Sequence, residues 1–311
     1  MIKRILSARK CERIVFSHEY YHGMLDSRID ASFDAMKFKK IRDLLIAKNL
    51  VTRKRILIPQ MISYEDMELV HSKNYLKRIQ NPLNVAQDLK IEAIDPWDTH
   101  VLEYFRIVTG GTLMAAEYAY EHGCTVFNLG GGFHHAHAEK AGGFCLINDV
   151  AIAIKKLQTN RKIDRIIIID LDYHEGDGNL TIFEDHPEVF TFSIHASDWM
   201  EIDKVNNRDI FLPENCTGAQ YMAILKQELP GICKSFSPDM VFYIAGSDPY
   251  EKDILGDLNL TRAEMLERNM YVYDCIKAHN IPMVVVAGGG YGKESWEVYY
   301  DFIENVLRKR K

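Results

Sequence analysis

Short runs of consecutive apolar residues are the feature of this sequence that most restricts its fold. The clearest of them are RIVF (13–16), TVFNL (125–129), RIIIIDLD (165–172), VFTFSI (189–194), DMVFYIAG (239–246) and PMVVVAGGG (282–290). Several are rich in β-branched residues and do not alternate with polar ones. This pattern is typical of parallel strands, because helices cover both faces of a parallel sheet. We therefore predict buried parallel strands in these runs.

Stretches with helical periodicity lie between the apolar runs. Ser63 and Asp66 have the spacing of a capping box, which predicts a helix start. The predicted helical stretches are 33–49, 109–122, 149–158, 217–236, 261–279 and 293–309. Strands that alternate with helices along most of the chain predict a doubly wound α/β fold with a mainly parallel central sheet. Since no low-complexity tract or Pro/Ser-rich linker interrupts the pattern, we expect residues 1–311 to form a single domain.

Charge and cysteine content exclude several classes of protein. The formal net charge of −6 argues against direct nucleic acid binding, which needs a basic surface. The apolar runs are too short for membrane insertion, and the first residues lack the apolar core of a secretory leader. The 6 cysteines include no CxxC pair, which favours reduced thiols and a cytoplasmic location over a disulfide framework.

Polar residues follow four of the predicted strands. GGGFHHAHA follows TVFNL, LDYHEGDG follows RIIIID, SDPYEKD follows MVFYIAG, and GGGYGKE follows MVVVA. In open α/β sheets, binding sites form beyond the carboxyl ends of the strands, in the loops that follow them. We therefore expect these four segments to share one rim of the sheet and to form a catalytic site.

Asp172, His174 and Asp248 are predicted to bind a metal ion. Asp172 and His174 are two residues apart at a strand end, so their side chains should point to the same side, and Asp248 follows another strand. Three protein ligands with open coordination positions are typical of catalytic zinc, which activates water and polarises a carbonyl group. Iron(II) could take the same ligands. The alternative is that these residues are strand-end caps or solvated loop residues.

Two adjacent histidines, His134 and His135, follow three glycines. Imidazole takes up and releases protons near neutral pH, and glycine permits the backbone conformations that would aim both rings into one site. Asp170 and Asp177 are available to orient the two rings by accepting hydrogen bonds. The alternative is a pair of solvated loop histidines. We interpret His137, two residues further on, as an exposed loop residue.

A tyrosine, Tyr291, follows the last glycine-rich turn. A phenol beside the metal could donate a hydrogen bond to the oxyanion of a tetrahedral intermediate. The alternative is a loop tyrosine that packs on a helix.

Five motifs of this chain, in the same order, resemble those of the arginase/deacetylase superfamily and specifically of the histone deacetylase family. The motifs are GGGFHHA (130–136), GGFC with IND (142–149), IDLDYHEGDG (169–178), AGSDPYEKDILGDLNLT (245–261) and AGGGYG (287–292). The resemblance covers roughly residues 12–305 and implies an arginase/deacetylase-like fold with about eight strands. The GGGFHHA and GGFC forms are most similar to the class IV histone deacetylases and their bacterial relatives.

The resemblance implies a role for each matching residue. The positions that match the zinc ligands are Asp172, His174 and Asp248. Those that match catalytic residues are His134, His135, Tyr291, Asp170 and Asp177, with His135 as the general base and acid and His134 mainly electrostatic. Those that match the wall and gate of a narrow acyl-lysine tunnel are Gly143, Phe144 and Leu255. Those that match two potassium sites are Asp170, Asp172, His174, Ser193 and Ile194 for the first, and Phe183, His186 and Val189 for the second.

Two segments depart from the family pattern. The entrance motif near the N-terminus, which contains His-Pro in relatives, reads DASFDAM at 30–36. The segment 196–209 lacks the PGTG-like stretch of many relatives, which leaves the second aromatic wall of the tunnel unassigned, with Trp199 as a candidate.

The activity that the resemblance implies is a zinc-dependent hydrolysis of acetyl or longer fatty acyl groups from lysine side chains of a protein or peptide. One alternative is an amidohydrolase of small acylated amines. Leu255 weighs against polyamines, because polyamine-specific relatives have a glutamate at this position. The other alternative is an inactive acyl-lysine-binding protein, against which the complete set of site residues weighs. Arginase-like chemistry is disfavoured because the ligands suit one metal ion rather than a bridged pair.

Overall fold

Eight strands form one sheet in the computed structural model, which describes residues 12–21, 34, 36–90, 99–161, 163–197, 206–213 and 215–309. The strands are β1 (Arg13–Val15), β2 (Ile56–Leu57), β3 (Thr125–Asn128), β4 (Ile166–Asp170), β5 (Val189–His195), β6 (Asn207–Phe211), β7 (Met240–Ile244) and β8 (Met283–Val286). Their order is β2-β1-β3-β8-β7-β4-β5-β6, and each neighbouring pair of these strands is parallel. The predicted α/β fold with a mainly parallel sheet is thereby confirmed.

The four strands that precede the chemically interesting loops are neighbours in this sheet. Asp170, the last residue of β4, pairs with Ile244 at the end of β7, and Ile244 pairs with Val286 at the end of β8. Because β3, β8, β7 and β4 run in the same direction, their carboxyl ends lie side by side at one edge. The loops that leave this edge are 130–137, 171–178, 246–253 and 287–292.

Helices cover both faces of the sheet. Their bounds are α1 (Lys37–Ala47), α2 (Tyr64–Met67), α3 (Lys73–Arg78), α4 (Pro82–Leu89), α5 (His100–His122), α6 (Asp149–Arg161), α7 (Asp177–Phe183), α8 (Gly218–Phe236), α9 (Arg262–Ala278) and α10 (Ser295–Arg308). The predicted capping box of Ser63 and Asp66 is present at the start of α2. Thr217 and Thr261 open α8 and α9 with capping boxes of the same kind, which satisfy backbone N–H groups of the first turn.

The apolar side chains of the strands alternate between two cores. In β4, Ile167 and Ile169 pack in a core that α8, α9 and α10 also line. Ile166 and Ile168 pack in the opposite core, with residues of α5 and α6. All five residues of β4 are buried, which is why its sequence shows an unbroken apolar run rather than alternation.

The two strands that lie outside the predicted apolar runs are β2 and β6, which are the edges of the sheet. β2 has two half-buried residues, and β6 reads NRDIF with no fully buried residue. An edge strand is covered less than an inner one, so its sequence has no continuous apolar run. Within the described residues, no helix is long and apolar enough to cross a membrane.

Candidate active site

Asp172, His174 and Asp248 come together beyond the ends of β4 and β7. One ligand-type atom from each lies within 4.8 Å of the others. His174 Nδ1 is 3.3 Å from Asp172 Oδ1 and 3.1 Å from Asp248 Oδ2. β4 ends at Asp170, so the convergence does not come from strand alternation, contrary to the sequence prediction. It comes from the turn that follows the strand.

The donor set of this group fits a divalent metal ion. Asp172 and Asp248 are both buried, and burial together with the Asp172 charge raises the pKa of Asp248 to about 7. Two carboxylates buried side by side are costly without a cation. The oxygen of each carboxylate that does not face His174 accepts a backbone hydrogen bond. The N–H of Gly289 donates to Asp172 Oδ2 at 2.7 Å, and that of Tyr173 donates to Asp248 Oδ1 at 3.0 Å. An imidazole and two oriented carboxylates are ligands that zinc accepts.

His134 and His135 are both buried, and each faces its own carboxylate. His134 Nδ1 is 2.8 Å from Asp170 Oδ2, and His135 Nδ1 is 2.6 Å from Asp177 Oδ1. The ring centroids of the two histidines are 4.1 Å apart. An ionised carboxylate only accepts hydrogen bonds, so each imidazole carries a proton at Nδ1. The Nε2 atom of each ring is then the atom available for proton exchange.

The surroundings shift the pKa values of the two histidines in opposite directions. Burial, with the nearby charge of His134, lowers the pKa of His135 to about 4. Burial also acts against the charged form of His134, but the Asp170 and Asp172 carboxylates outweigh it and raise the pKa of His134 to about 9. At neutral pH His135 is therefore a neutral imidazole and His134 an imidazolium.

The backbone of Gly143 lies directly against the His135 ring. A Cβ atom at Gly143 would lie 2.0 Å from His135 Cδ2, and φ at this residue is 45°. Only glycine combines that conformation with so close an approach. The next residue, Phe144, is 47% exposed and its ring centroid lies 6.2 Å from that of Tyr291. Gly143 and Phe144 thus lie between the histidine pair and solvent.

Asp253 holds the turn that carries Tyr291. Its Oδ2 accepts hydrogen bonds from the backbone N–H groups of Tyr291 at 2.7 Å and Gly292 at 3.1 Å, and from the Ser295 hydroxyl at 3.0 Å. Its Oδ1 accepts from the backbone N–H of Leu255 at 3.0 Å, and Leu255 is 42% exposed. Burial raises the pKa of Tyr291 well above the usual value, so its hydroxyl stays protonated. Sequence reasoning missed Asp253.

Two buried cations hold the backbone around the site and were also missed by sequence reasoning. Arg268 donates from Nη1 to the carbonyl of Leu171 at 2.8 Å and from Nη2 to that of Gly246 at 2.7 Å, which ties the ends of β4 and β7 together. Lys37 donates from Nζ to the carbonyl of Gly290 at 3.1 Å. Both residues belong to helices, where arginine and lysine ordinarily lie on the solvent face.

The prediction that His137 is an exposed loop residue was wrong. His137 is 8% exposed and its Nε2 lies 3.0 Å from Asp177 Oδ2. Its Nδ1 lies 2.7 Å from Thr181 Oγ. The turn after His135 folds back over the first turn of α7, which brings this third imidazole to the carboxylate that His135 contacts.

Comparisons with known proteins show the family to which the chain belongs. A family model described as the histone deacetylase domain matches residues 31–306. This chain belongs to the histone deacetylase family. It is 30% identical to histone deacetylase 2 of Arabidopsis thaliana over 311 residues, which cover 95% of this chain and 79% of that protein. The family prediction made from the motifs is confirmed.

Other relatives are similar over most of their length. An uncharacterized protein of Picosynechococcus sp. is 34% identical over 270 residues, which cover 86% of this chain and 89% of the relative. The acetoin utilization protein AcuC of Staphylococcus aureus is 27% identical over 290 residues, which cover 86% of this chain and 73% of AcuC.

Solved structures of histone deacetylase homologs share the fold. A crystal structure of one such homolog complexed with SAHA matches with a TM-score of 0.80 at 23% identity, over 96% of this chain and 84% of the other. The structure of a homolog from Aquifex aeolicus matches with a TM-score of 0.79, at the same identity and coverage.

The residues of the first potassium position that histone deacetylases imply lie close together. Ser193 in β5 pairs with Asp170 in β4, and Ile194 is buried next to it. The Ser193 hydroxyl is buried and has no hydrogen-bond partner among the residues that the structure describes. A buried hydroxyl without a partner, beside the segment that carries Asp172 and His174, fits a monovalent cation.

The second potassium position contains a protein amide. The Asn206 Nδ2 atom donates to the carbonyls of Phe183, His186 and Val189 at 3.0, 3.1 and 2.9 Å. These are the three carbonyls that the family resemblance assigns to the cation. Because the amide nitrogen lies among all three, a potassium ion could bind there only if Asn206 moved away.

Replacing Asn206 by alanine is expected to destabilise the fold, because the carbonyls of Phe183, His186 and Val189 each lose one hydrogen bond. The carbonyls of Phe183 and His186 still accept from the backbone N–H groups of His186 and Val189. A hydrogen bond typically contributes about 0.5–1.5 kcal/mol, so the loss of the three should lower the free energy of unfolding by roughly 2 kcal/mol. Urea unfolding measures this change. Asn84→Ala is the matched control, since the Asn84 amide donates to a single exposed carbonyl. Equal stability of Asn206→Ala and the wild type would contradict the assigned role.

A second group of ligand-type atoms lies close to the first. Glu175, His195 and Asp209 place one such atom each within 4.8 Å of the others. His195 Nδ1 is 3.0 Å from the carbonyl of Ser197, and His195 Nε2 is 3.0 Å from Asp209 Oδ2. Although burial opposes it, the hydrogen bond to Asp209 raises the pKa of His195. We interpret the group as an ion pair that links β5 to β6.

Two sequence predictions concern residues outside the described part of the chain. In the DASFDAM segment, only Asp34 and Met36 are described. Trp199, the candidate for the second aromatic wall, also lies outside the described residues.

Proposed function

We propose that this member of the histone deacetylase family is a zinc-dependent hydrolase that removes acyl groups from lysine side chains. The observation that carries the proposal is the convergence of the Asp172, His174 and Asp248 side chains with the two histidines at one edge of the sheet. Each histidine has its own buried carboxylate partner, which is the arrangement expected for proton transfer. Family membership supports a deacetylase-type hydrolase. The name of one relative, histone deacetylase 2, supports acetylated lysine as the basic type of substrate.

Asp172, His174 and Asp248 are the residues that we propose to hold the metal ion. When bound, zinc supplies the positive charge that acidifies a water molecule and polarises an amide carbonyl. Iron(II) accepts the same imidazole and carboxylate ligands, so metal availability decides between the two ions.

His135 is proposed as the group that moves protons. With its Nδ1–H held by Asp177, its Nε2 can take a proton from the attacking water and then deliver it to the departing lysine amine. His134 is proposed to act mainly through its charge, because Asp170 and Asp172 favour its protonated form. This division follows from the different carboxylate surroundings of two chemically identical rings.

Tyr291 is proposed to donate a hydrogen bond to the carbonyl oxygen of the substrate. Its hydroxyl stays protonated because burial disfavours the phenolate, so it can act as a donor throughout the reaction. Asp253 positions the donor by accepting three hydrogen bonds from the turn that begins at Tyr291.

The rim of the proposed substrate tunnel is apolar. Gly143 and Phe144 form one wall, and Leu255 is proposed as the gate on the other side. An apolar rim suits the methylene chain of a lysine, whereas a polyamine would require a carboxylate at the rim. We also propose that this chain is most similar to the class IV histone deacetylases and their bacterial relatives, on the basis of its GGGFHHA and GGFC motifs.

One potassium ion is proposed at the first position, with Asp170, Asp172, His174, Ser193 and Ile194 as its surroundings. The buried Ser193 hydroxyl supports it. For the second position we propose that Asn206 takes the place of the ion.

Lysine peptides that carry acyl groups from acetyl to myristoyl test the proposed activity. We expect the metal-loaded protein to release the carboxylic acid and to leave an unmodified lysine side chain in the peptide, and we expect a chelator to abolish this activity. Acylated small amines in the same assay test the alternative substrate class. Binding of acyl-lysine without turnover would instead support the alternative of an inactive binding protein.

We expect longer acyl groups to be preferred over acetyl. The class IV similarity implies this preference, and segment 196–209 lacks the stretch that narrows the tunnel in many relatives. Burial contributes about 0.8 kcal/mol per methylene, so four additional buried methylenes would raise kcat/KM by about two orders of magnitude. The same peptide panel provides the comparison. An equal or higher kcat/KM on acetyl-lysine than on decanoyl- or myristoyl-lysine would disprove the preference and leave the zinc mechanism intact.

We further propose a cytoplasmic location and a single catalytic domain across residues 1–311. The scattered cysteines, which include no CxxC pair, favour reduced thiols and support this location. Fractionation of the source cells would test the location.

A further inference from the structure

The carboxylate of Asp177 lies between two imidazoles. His135 Nδ1 is 2.6 Å from Asp177 Oδ1, and His137 Nε2 is 3.0 Å from Asp177 Oδ2. The three side chains are almost completely buried, with exposed fractions of 5% for His135, 10% for His137 and 8% for Asp177. The proposed reaction uses the contact of Asp177 with His135 and assigns no role to the contact with His137.

His137 is held from several sides. Its Nδ1 is 2.7 Å from Thr181 Oγ, and its carbonyl oxygen is 3.0 Å from His71 Nδ1. Its backbone N–H donates to the carbonyl of Lys140 at 3.0 Å. Asp177 and Thr181 are four residues apart on α7, so they lie on the same helix face and contact the two nitrogens of one ring. The ring of His137 therefore has a defined position and orientation.

The two contacts determine how Asp177 can be oriented. A carboxylate that has one donor can rotate about its Cβ–Cγ bond. A second donor at the opposite oxygen fixes the plane of the group. Since an ionised carboxylate only accepts, His137 must carry its proton at Nε2, which makes it that second donor. The hydrogen bonds from His135 and His137 also outweigh burial and hold the pKa of Asp177 below its usual range, so the carboxylate stays ionised.

We propose that His137 is a positioning residue for the hydrolysis, and that its hydrogen bond to Asp177 Oδ2 holds the carboxylate that orients His135. The inference rests on the proposed function, in which His135 exchanges protons through Nε2. His137 does not contact the reacting atoms. It acts through Asp177, because a fixed carboxylate plane fixes the direction of the His135 Nδ1–H group and hence of Nε2.

A pair of conservative variants separates the two contacts of the His137 ring. The amide of His137→Asn reaches the former position of Nδ1 near Thr181 and falls short of Asp177. The amide of His137→Gln reaches the former position of Nε2 and can still donate to Asp177. We expect kcat of His137→Asn to fall about 10–100-fold, as is typical when such an outer partner is lost, with KM near that of the wild type. We expect His137→Gln to recover most of kcat.

Thr181→Val is the matched control. Valine has the shape of threonine and removes the hydroxyl near His137 Nδ1, but it leaves the His137–Asp177 hydrogen bond in place. It therefore loosens the same ring without removing the donor to the carboxylate. We expect its kcat to stay close to that of the wild type, even if its thermal midpoint falls as much as that of His137→Asn.

Proton NMR of the substrate-free protein gives a second readout that does not depend on turnover. The short hydrogen bond between His135 Nδ1 and Asp177 should produce a low-field resonance. We expect this resonance to shift or broaden in His137→Asn and to keep its wild-type position in His137→Gln and Thr181→Val. A change of the resonance in His137→Asn alone supports a positioning role.

Two results would overturn the inference. The first is a wild-type kcat together with an unchanged resonance in folded His137→Asn. The second is a loss of kcat in all three variants that simply follows their loss of thermal stability. That result would indicate a purely structural role. If the wild type hydrolyses no acyl-lysine peptide, the proposed function fails. The NMR comparison then still decides whether His137 orients the pair of Asp177 and His135.

Discussion

Replacing Asp248 with alanine is expected to abolish both metal binding and hydrolase activity. Asp248 supplies one of the three side chains whose ligand-type atoms lie within 4.8 Å of one another, and it is completely buried. The variant leaves Asp172 and His174 as the remaining ligands, too few to retain the ion in an open site. Elemental analysis of purified protein should find a single equivalent of a divalent metal in the wild type and almost none in the variant.

Asp257→Ala is the matched control for this experiment. Asp257 lies in the same loop, and its carboxylate accepts a hydrogen bond from the Tyr173 hydroxyl at 2.8 Å rather than facing His174. It should keep full metal content and most of the activity. Full metal content in Asp248→Ala, or two equivalents of metal in the wild type, would contradict the assigned single site.

Replacing His135 with alanine is expected to lower kcat strongly while the metal remains bound. General acid–base help is typically worth about 10²–10⁴-fold, and His135 is the neutral imidazole of the pair. Steady-state kinetics on the best acyl-lysine peptide, together with metal analysis of the same sample, would measure both quantities. The metal should remain because no ligand has been removed.

His134→Ala provides the comparison for His135→Ala. We expect a smaller loss of kcat, because His134 is proposed to contribute charge rather than to exchange the proton. His279→Ala serves as a control, since this exposed imidazole lies 2.8 Å from the carbonyl of Cys275 in α9 and is not part of the candidate site. A larger loss of kcat in His134→Ala than in His135→Ala would reverse the assignment of roles.

The inner part of the sheet could be predicted from the sequence alone. The apolar runs around β3, β4, β5, β7 and β8 are continuous because helices cover both faces of each strand. An unbroken apolar run in the sequence therefore indicates a strand that is buried on both faces. The edge strands β2 and β6 could not be predicted in this way. Their residues are half-buried or exposed, and their pairing with β1 and β5 depends on where the rest of the chain has already placed those strands.

The helices show the same limit at their ends. The start of α9 was predicted to within a residue from helical periodicity, and in the structure Thr261 and Glu264 form a local capping box there. The start of α5 at His100 lies nine residues before the predicted start at 109, because no side-chain cap marks it. Local side-chain contacts are visible in a sequence, whereas a helix start that depends on packing is not.

The sequence by itself determined the fold class and the family, and it supplied the residues that we propose for the chemistry, because motifs at strand ends carry both their spacing and their residue types. The tertiary structure decided how these residues are held. His137 and Asp177, His135 and Gly143, and Asp253 and Tyr291 are each separated along the chain and meet only after the loops fold. Arg268 and Asn206 have ordinary sequence surroundings, and their carbonyl partners are distant in the sequence. The physical reason is that a buried polar group needs a partner in space, and only the folded chain supplies that partner.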